Sequence, residues 1–324
     1  MSIIERKILS FLRIVYKSIS DEHNRYDGVS YDFEDASLRN QQASDLIKNR
    51  LNDDTPLMIG RFGATEIAYL TNSLIVQDWF FRKRDYYITN KINSFLWEQQ
   101  IIHDMIYVSG FFPHSNENAK RYSDLLLEDI KYLDILGTWL YRERLLKKEL
   151  SHTIKIQLPD IEPYFHENPW SEALEGKTVL VIHPFQESIL AQYVSREKLF
   201  KDKRVLPKFN LKTIKAIQSA GNSKTIFKDW FESLDHMKSE MDKITFDIAI
   251  IGCGAYGFHL AAHAKRSGKK GIHLGGATQN LFGIIGKRWE AHEPTRKFMN
   301  QYWVRPLEIE KPAEIQLVEN GCYW

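Results

Sequence analysis

The sequence predicts an α/β protein with a Rossmann-like, mostly parallel sheet and helices on both faces. Short apolar runs alternate with segments of helical periodicity along most of the 324 residues, as expected where helices connect parallel strands. Three of these runs are almost continuously apolar, which is typical of strands buried on both faces. The connections are short, which favours right-handed crossovers.

Each element is predicted from its local pattern. Apolar runs predict strands, in chain order, at 56–62, 104–112, 134–140, 154–159, 178–185, 204–212, 246–252 and 269–276. Apolar residues three and four positions apart predict the helices that connect them. These helices are expected near 38–51, from about 64 onwards, and at 116–133, 187–200, 225–244, 258–268 and 277–285.

Composition narrows the classes of function. The net charge is only +2, so no strongly basic field favours nucleic acid as a partner. Cys253 and Cys322 are the two cysteines, and they match neither a disulfide framework nor a zinc pattern. A reducing compartment such as the cytoplasm fits best. No apolar run approaches the roughly 20 residues that a membrane span requires.

Residues 1–20 predict an amphipathic helix that precedes a single domain at 21–324. Apolar residues such as Ile4, Ile8 and Phe11 recur at helical spacing, with basic residues between them. One interpretation is a helix that packs on the domain. The other is a peripheral membrane contact through residues 1–18, on an anionic surface at the inner face of the membrane.

The candidate functional residues fall at the carboxyl ends of predicted strands. Arg61, His183, Gly252 and Gly275 each end or follow a strand. Ligands of open α/β sheets bind beyond these ends, at the point where the strand order reverses. We therefore expect the four residues to share one cleft.

A glycine motif follows the predicted strand 246–252. Residues 252–257 read GCGAYG, which places Gly252, Gly254 and Gly257 between a strand and a helix. Such glycines let the backbone turn tightly and approach a phosphate; tight packing alone is the alternative interpretation. The next strand offers His273 and no acidic residue, which argues against a dinucleotide or a methyl donor at this turn.

A second glycine turn lies at 273–289, which reads HLGGATQNLFGIIGKRW. Gly275 and Gly276 precede a helix whose first turn carries Gln279, and Lys287 and Arg288 follow. Two glycine turns and a basic pair suit a diphosphate, because backbone dipoles and cations both stabilise its charge. A solvated helix end is the alternative interpretation of the basic pair.

Arg61 and Glu66 bracket Gly63 where a strand gives way to a helix. Arginine is a permanent planar cation that suits phosphate, whereas a glutamate in the first helical turn also simply favours the helix dipole. His183 ends its strand and is either a hydrogen-bonding residue of the fold or a catalytic residue.

Together these segments resemble the GT-D type of bacterial glycosyltransferases, over about residues 40–324. RFGATE at 61–66 is similar to the Arg-x-Gly-x-x-Glu signature of that group, and VLVIHPF at 179–185 and the 252–257 turn also match it. The 273–289 segment and VENGCYW at 318–324 are similar to a polysaccharide-biosynthesis branch. The resemblance implies transfer of a sugar from a nucleotide-diphosphate sugar to a saccharide or lipid-linked saccharide acceptor.

One position departs from the group's pattern. Many members carry an Asp-x-Glu pair for a divalent metal, and here Ala64 replaces the aspartate. A lone Glu66 is a poor site for a hard cation, which takes several oxygen ligands. We therefore expect no metal site and no required cofactor, with Arg61 and Lys287 or Arg288 at the diphosphate. Glu66 would then act as general base toward the acceptor hydroxyl or bind the donor sugar.

Two further functions stay open. One is an enzyme that depends on a nucleotide or methyl donor and uses only the 252–257 turn. The other is a nucleotide-binding scaffold that has kept the fold and lost catalysis, an option that Ala64 supports.

Overall fold

Seven parallel strands form one sheet in the computed structural model, which describes residues 3–20, 33–77, 80–92, 94–221, 223–312 and 314–324. The strands lie in the order β3-β2-β1-β7-β6-β4-β5, and every pairing is parallel. They are β1 (Leu57–Gly60), β2 (Ile135–Thr138), β3 (Ile154–Gln157), β4 (Thr178–His183), β5 (Asn210–Lys215), β6 (Ile248–Ile251) and β7 (Lys270–His273). The predicted fold class is confirmed.

Helices cover both faces of the sheet. They are α1 (Ile3–Ile19), α2 (Gln41–Asn52), α3 (Ala64–Gln77), α4 (Phe80–Ile88), α5 (Gln99–Tyr107), α6 (Asn116–Ile130), α7 (Gln186–Val194), α8 (Arg196–Leu199), α9 (Trp230–Asp242), α10 (Gly257–Arg266), α11 (Ala277–Leu281), α12 (Lys287–Glu290) and α13 (Glu293–Arg296). Leu180 and Ile182 of β4 pack with α3, α6, α9 and α10, whereas Val179 and Val181 pack with α2, α7 and α11. This alternation is the reason that central strands such as β1, β4 and β6 are almost continuously apolar.

The strand order places a switch point between β4 and β6. From β4 the chain continues outward to β5, whereas from β6 it continues in the opposite direction to β7. Neighbouring strands whose connections diverge in this way leave a crevice at their carboxyl ends. His183 ends β4 and Gly252 follows β6, so both residues border that crevice.

The predicted strand at 104–112 is wrong. Residues up to Tyr107 end helix α5, and the N–H of Val108 donates to the carbonyl of Asp104 at 2.8 Å. Met105 is buried in the core that α3 shares. A short apolar run rich in aromatic and β-branched residues is compatible with a strand and equally with a buried helical turn, so the pattern alone does not distinguish the two.

Two other predicted boundaries shift in the structure. Strand β5 begins at Asn210, beyond Pro207, instead of at 204. Helix α9 begins at Trp230 instead of 225, because the Asp229 side chain accepts a hydrogen bond from the N–H of Glu232 at 2.7 Å. An aspartate in this position is a strong N-cap, and it outweighs the helical pattern of the residues before it.

Helix α1 spans Ile3–Ile19 and packs against α4. Met1, Ser2 and the residues 21–32 that follow the predicted domain boundary lie outside the described residues. Within the described part of the chain, no helix is both long and apolar enough to cross a membrane.

Candidate functional site

Arg61 lies against the turn that follows β7. Its Cδ and Nε atoms are 3.4 and 3.7 Å from the position that a Cβ on Gly275 would occupy. Gly275 has φ +66°, a left-handed conformation that glycine adopts at little cost. Arg61 follows β1, the neighbour of β7 in the sheet, so two adjacent strand ends place the arginine here.

Gly252 joins this turn to the end of β4. A Cβ on Gly252 would lie 2.5 Å from the carbonyl oxygen of Gly275, 2.6 Å from Oγ1 of Thr278 and 2.8 Å from Cδ2 of His183. Only glycine allows so close an approach. Arg61, Gly275, Gly252 and His183 therefore meet at one edge of the sheet, as the sequence predicts.

The glycines of this edge serve the protein's own packing. The N–H of Gly252 donates to Ile182 at 3.0 Å, and that of Gly275 donates to Ile251 at 3.1 Å. These two glycines thus allow close packing of the strand ends, and their N–H groups already belong to the sheet.

The other glycines of the 252–257 motif shape the turn itself. The imidazole of His273 fills the space where a side chain at Gly257 would lie. Gly254 takes φ +54°, the left-handed conformation that the turn requires. These contacts support the alternative interpretation of the motif, in which its glycines serve tight packing.

The Arg61 guanidinium is half-buried and lies over the indole of Trp139, with Cζ 5.0 Å from the ring centroid. Burial lowers the pKa of Arg61, and the nearby Glu66 carboxylate opposes that shift. Among the residues that the structure describes, no carboxylate forms an ion pair with Arg61. A cation held by an aromatic face keeps its N–H groups available for an anion.

The Glu66 carboxylate folds back over the Gly63 backbone, where a Cβ on Gly63 would overlap it. The N–H of Ile67 donates to the Gly63 carbonyl at 3.0 Å, so helix α3 begins here. Glu66 is the third residue of α3, the place that a capping-box glutamate takes. It therefore supports the helix start and also lies close enough to influence the pKa of Arg61.

Glu162 is a second carboxyl group near Arg61, and sequence reasoning missed it. Burial raises its pKa to about 8, and the charge of Arg61 opposes the shift. The Tyr164 hydroxyl donates to the Glu162 carboxylate and accepts from the Asn280 amide, the latter at 3.3 Å. Glu162 follows β3 as Trp139 follows β2, so the strand-end rule that pointed to Arg61 also applies to both.

Glu143 fixes the position of Trp139. Burial raises the pKa of Glu143 to about 7. Its carboxylate accepts from the Thr138 hydroxyl, from the N–H of Trp139 at 3.4 Å and from the N–H of Leu140 at 3.3 Å. The indole N–H of Trp139 donates to the Phe62 carbonyl at 2.8 Å, which ties the ring to the loop of Arg61.

Two buried histidines, both in the neutral form, hold the strand ends by hydrogen bonds. Burial lowers the pKa of His183 and of His273 to about 3. Nδ1 of His183 accepts from the N–H of Phe185 at 2.9 Å, which assigns its proton to Nε2 and makes that nitrogen a hydrogen-bond donor. Nδ1 of His273 donates to the Arg61 carbonyl at 3.1 Å.

The C-terminal segment 319–324 lies against the site. The Gln279 amide donates to the carbonyls of Tyr323 and Ile284, both at 3.2 Å. Arg288 pairs with Glu319, and its Nη1 donates to the Tyr323 hydroxyl at 3.2 Å. Gln279 and Arg288, which the sequence predicts at the ligand, thus hold this segment.

Three further residues of the 273–289 segment have defined contacts in the structure. Gly276 packs closely on the Tyr323 ring, because Cε1 of that ring lies 2.9 Å from the position that a Cβ on Gly276 would occupy. Lys287 is exposed, with Nζ 3.7 Å from a Cβ placed on Gly321. The Thr278 hydroxyl is buried beside Gly252 and has no hydrogen-bond partner among the described residues, so it offers a polar group at the junction of β6 and β7.

The residues at the α3 turn do not fit a divalent cation. Ala64 offers no oxygen, and the Glu66 carboxylate folds over Gly63. Across the described ranges, no group of three or more His, Cys, Asp or Glu side chains is arranged to hold a metal ion.

Comparisons with known proteins add no relative. A scan against models of protein families, a search of curated proteins and a search of solved structures each found no match for this chain. The resemblance to GT-D glycosyltransferases therefore stays a prediction.

Proposed function

We propose that the protein is a glycosyltransferase that moves a sugar from a nucleotide-diphosphate sugar to a saccharide or lipid-linked saccharide in bacterial surface-polysaccharide synthesis. The observation that carries this proposal is Arg61. Its half-buried guanidinium lies over Trp139 and against Gly275, with no ion-paired carboxylate among the described residues. The RFGATE signature around this arginine supports the same activity.

The donor diphosphate fits the edge where β1, β7, β6 and β4 end. Arg61 supplies a planar cation whose N–H groups match two phosphate oxygens. Nε2–H of His183 and the Thr278 hydroxyl lie beside Gly252 and add neutral donors. The absence of side chains at Gly252 and Gly275 lets the strand ends and the Arg61 side chain pack together, which brings these donors to one edge of the sheet.

The transfer step assigns a role to each charged group. The acceptor hydroxyl oxygen forms a bond to the anomeric carbon, and the bond from that carbon to the diphosphate oxygen breaks. The departing diphosphate keeps the electron pair, and Arg61 stabilises its growing negative charge. The proton of the acceptor passes to a carboxylate, for which Glu66 is the candidate. Glu162, whose pKa lies at about 8, holds a proton at neutral pH and donates to a sugar oxygen.

The test compares binding with turnover. Thermal shifts of the full chain are measured with nucleotide-diphosphate sugars, dinucleotides and methyl donors, and release of nucleoside diphosphate is followed with saccharide acceptors. We expect a shift with nucleotide sugars only. Arg61→Gln should weaken that binding, and Glu66→Gln should abolish transfer and leave binding and fold intact.

Arg305→Gln is a matched control, because Arg305 pairs with Glu290 at the surface. Binding without turnover across acceptors would favour the scaffold, and a shift with a methyl donor or dinucleotide would favour the other enzyme class. Undiminished transfer by Glu66→Gln would remove Glu66 from the mechanism.

A further inference from the structure

Helix α1 is held to the protein by one face. Leu9 is buried there, and Arg84 of α4 pairs with Glu5 at 2.9 Å. Ser10 hydrogen-bonds with Tyr87 at 3.3 Å, and Arg13 donates to Asn90. These contacts fix the rotation of α1 about its axis, so the direction of its opposite face is also defined.

The opposite face of α1 is apolar and exposed. Its side chains keep between 39% (Val15) and 78% (Ile19) of their surface accessible. The stripe consists of Ile4, Ile8, Phe11, Leu12, Val15 and Ile19. Residues at this spacing lie along one side of a helix. A continuous apolar stripe of this kind on a protein surface marks an interaction site.

Basic side chains accompany the stripe. Arg6 and Lys7 are exposed and Lys17 is half-buried on the same helix, whereas Arg13 lies on the packed face, over the Tyr87 ring. The acidic residue of α1 is Glu5, whose charge is matched by Arg84. The surface around the stripe is therefore positive, which suits an anionic partner.

We propose that α1 docks the protein on an anionic lipid surface, with the stripe in the boundary between headgroups and acyl chains. Basic side chains next to an apolar face are what such a surface attracts. A second copy of the chain would place the same positive charges opposite one another across a two-fold interface. The lipid surface neutralises these charges instead, and this docking does not require glycosyltransferase activity.

The test is co-sedimentation of the full chain with vesicles. We expect binding to vesicles that contain phosphatidylglycerol and little binding to vesicles of phosphatidylcholine alone. Replacing Ile8 and Phe11 together by serine should weaken binding at least about tenfold, because two side chains leave the bilayer boundary. Both residues are exposed, so the fold should be preserved.

Val194 and Ile226, which are 82% and 95% exposed, provide a matched control when both are replaced by serine. A second variant, Arg6→Gln with Lys7→Gln, should reduce the preference for phosphatidylglycerol. Equal sedimentation of the wild type and the Ile8/Phe11 variant would overturn the proposal. So would a wild-type dimer that this variant dissociates, together with no binding to vesicles, since the stripe would then be a contact between copies.

Discussion

At the scale of single residues, the cleft is unusual in the way its charges are held. Arg61 lies over an aromatic ring and against a glycine, and the carboxyl group of Glu162 keeps a raised pKa close by. A half-buried cation and a half-buried acid that are not joined in one ion pair are costly to the fold. Perturbed groups that gather in a cleft are typical of functional sites.

The raised pKa of Glu162 predicts how the free energy of unfolding changes with pH. Its pKa is about 8 in the folded protein, against an ordinary 4.5. Between these values the unfolded chain has released the proton and the folded protein still binds it, so the free energy of unfolding falls as pH rises. Glu162→Gln removes this group and should flatten that fall, as measured by urea unfolding from about pH 5 to about pH 8.5.

Glu167→Gln is the control for Glu162, because Glu167 is exposed and lies in the same loop. It should follow the wild-type curve. Parallel curves for the wild type and Glu162→Gln would show that Glu162 is not held as a neutral acid.

Residue roles were harder to predict than residue positions. The sequence pattern shows where each strand ends. It therefore predicts the positions of the residues at those ends, which are Arg61, His183, Gly252 and Gly275. Gln279 and Arg288 also lie near the cleft, but their side chains bind the C-terminal segment. The sequence alone does not show the spatial neighbours of such a side chain, so it does not reveal the direction in which the side chain points.

At the scale of elements, the central strands are predictable because burial on both faces makes them almost continuously apolar. The error at 104–112 has the same origin, since the buried end of α5 is just as apolar. Trp139 lies near the end of the predicted strand 134–140 and Glu162 follows the predicted strand 154–159, but neither residue belongs to a glycine or histidine motif that would single it out. The role of the 319–324 segment beside Arg61 arises from tertiary packing, and local patterns carry no signal for it.

Contact between strand ends makes a prediction about Gly252. Alanine at this position would meet the Gly275 carbonyl, Thr278 and His183 within 2.8 Å. The three strand ends must then separate, and we expect a loss of about 1–3 kcal/mol in the free energy of unfolding. Nucleotide-sugar binding should weaken as well, because the same displacement moves Arg61 relative to Gly275. Urea unfolding and isothermal titration calorimetry measure the two effects.

Gly268 offers a control for backbone strain. It has φ +75°, and a Cβ there would meet nothing within 4 Å. Gly268→Ala should cost about 1–2 kcal/mol through strain alone and leave binding unchanged. Unaltered binding by Gly252→Ala would mean that the junction of strand ends is not part of the ligand site.

At the scale of the whole molecule, the candidate site joins residues that lie far apart in the sequence. Arg61 follows β1, and Tyr323 lies well beyond β7, the last strand of the sheet. The pKa of Tyr323 is raised by burial and is also affected by Arg288, Arg61 and Glu66, so all four side chains share one environment. A ligand in this cleft binds only when the entire sheet is assembled, so its binding energy adds to global stability.

Tyr323 tests this link between the C-terminal segment and the cleft. Its ring packs on Gly276 and lies 5.6 Å from the Trp289 ring, and its hydroxyl accepts from Arg288 at 3.2 Å. A ligand at about a hundredfold its Kd adds roughly 2.7 kcal/mol to the free energy of unfolding. We expect this increment in the wild type and in Tyr323→Phe, which keeps the ring. Tyr323→Ala should lose most of it at the same ligand concentration, because removing the ring opens the wall beside Arg61. Calorimetric unfolding with and without nucleotide sugar gives the increment directly, and an undiminished increment in Tyr323→Ala would separate the C-terminal segment from the binding cleft.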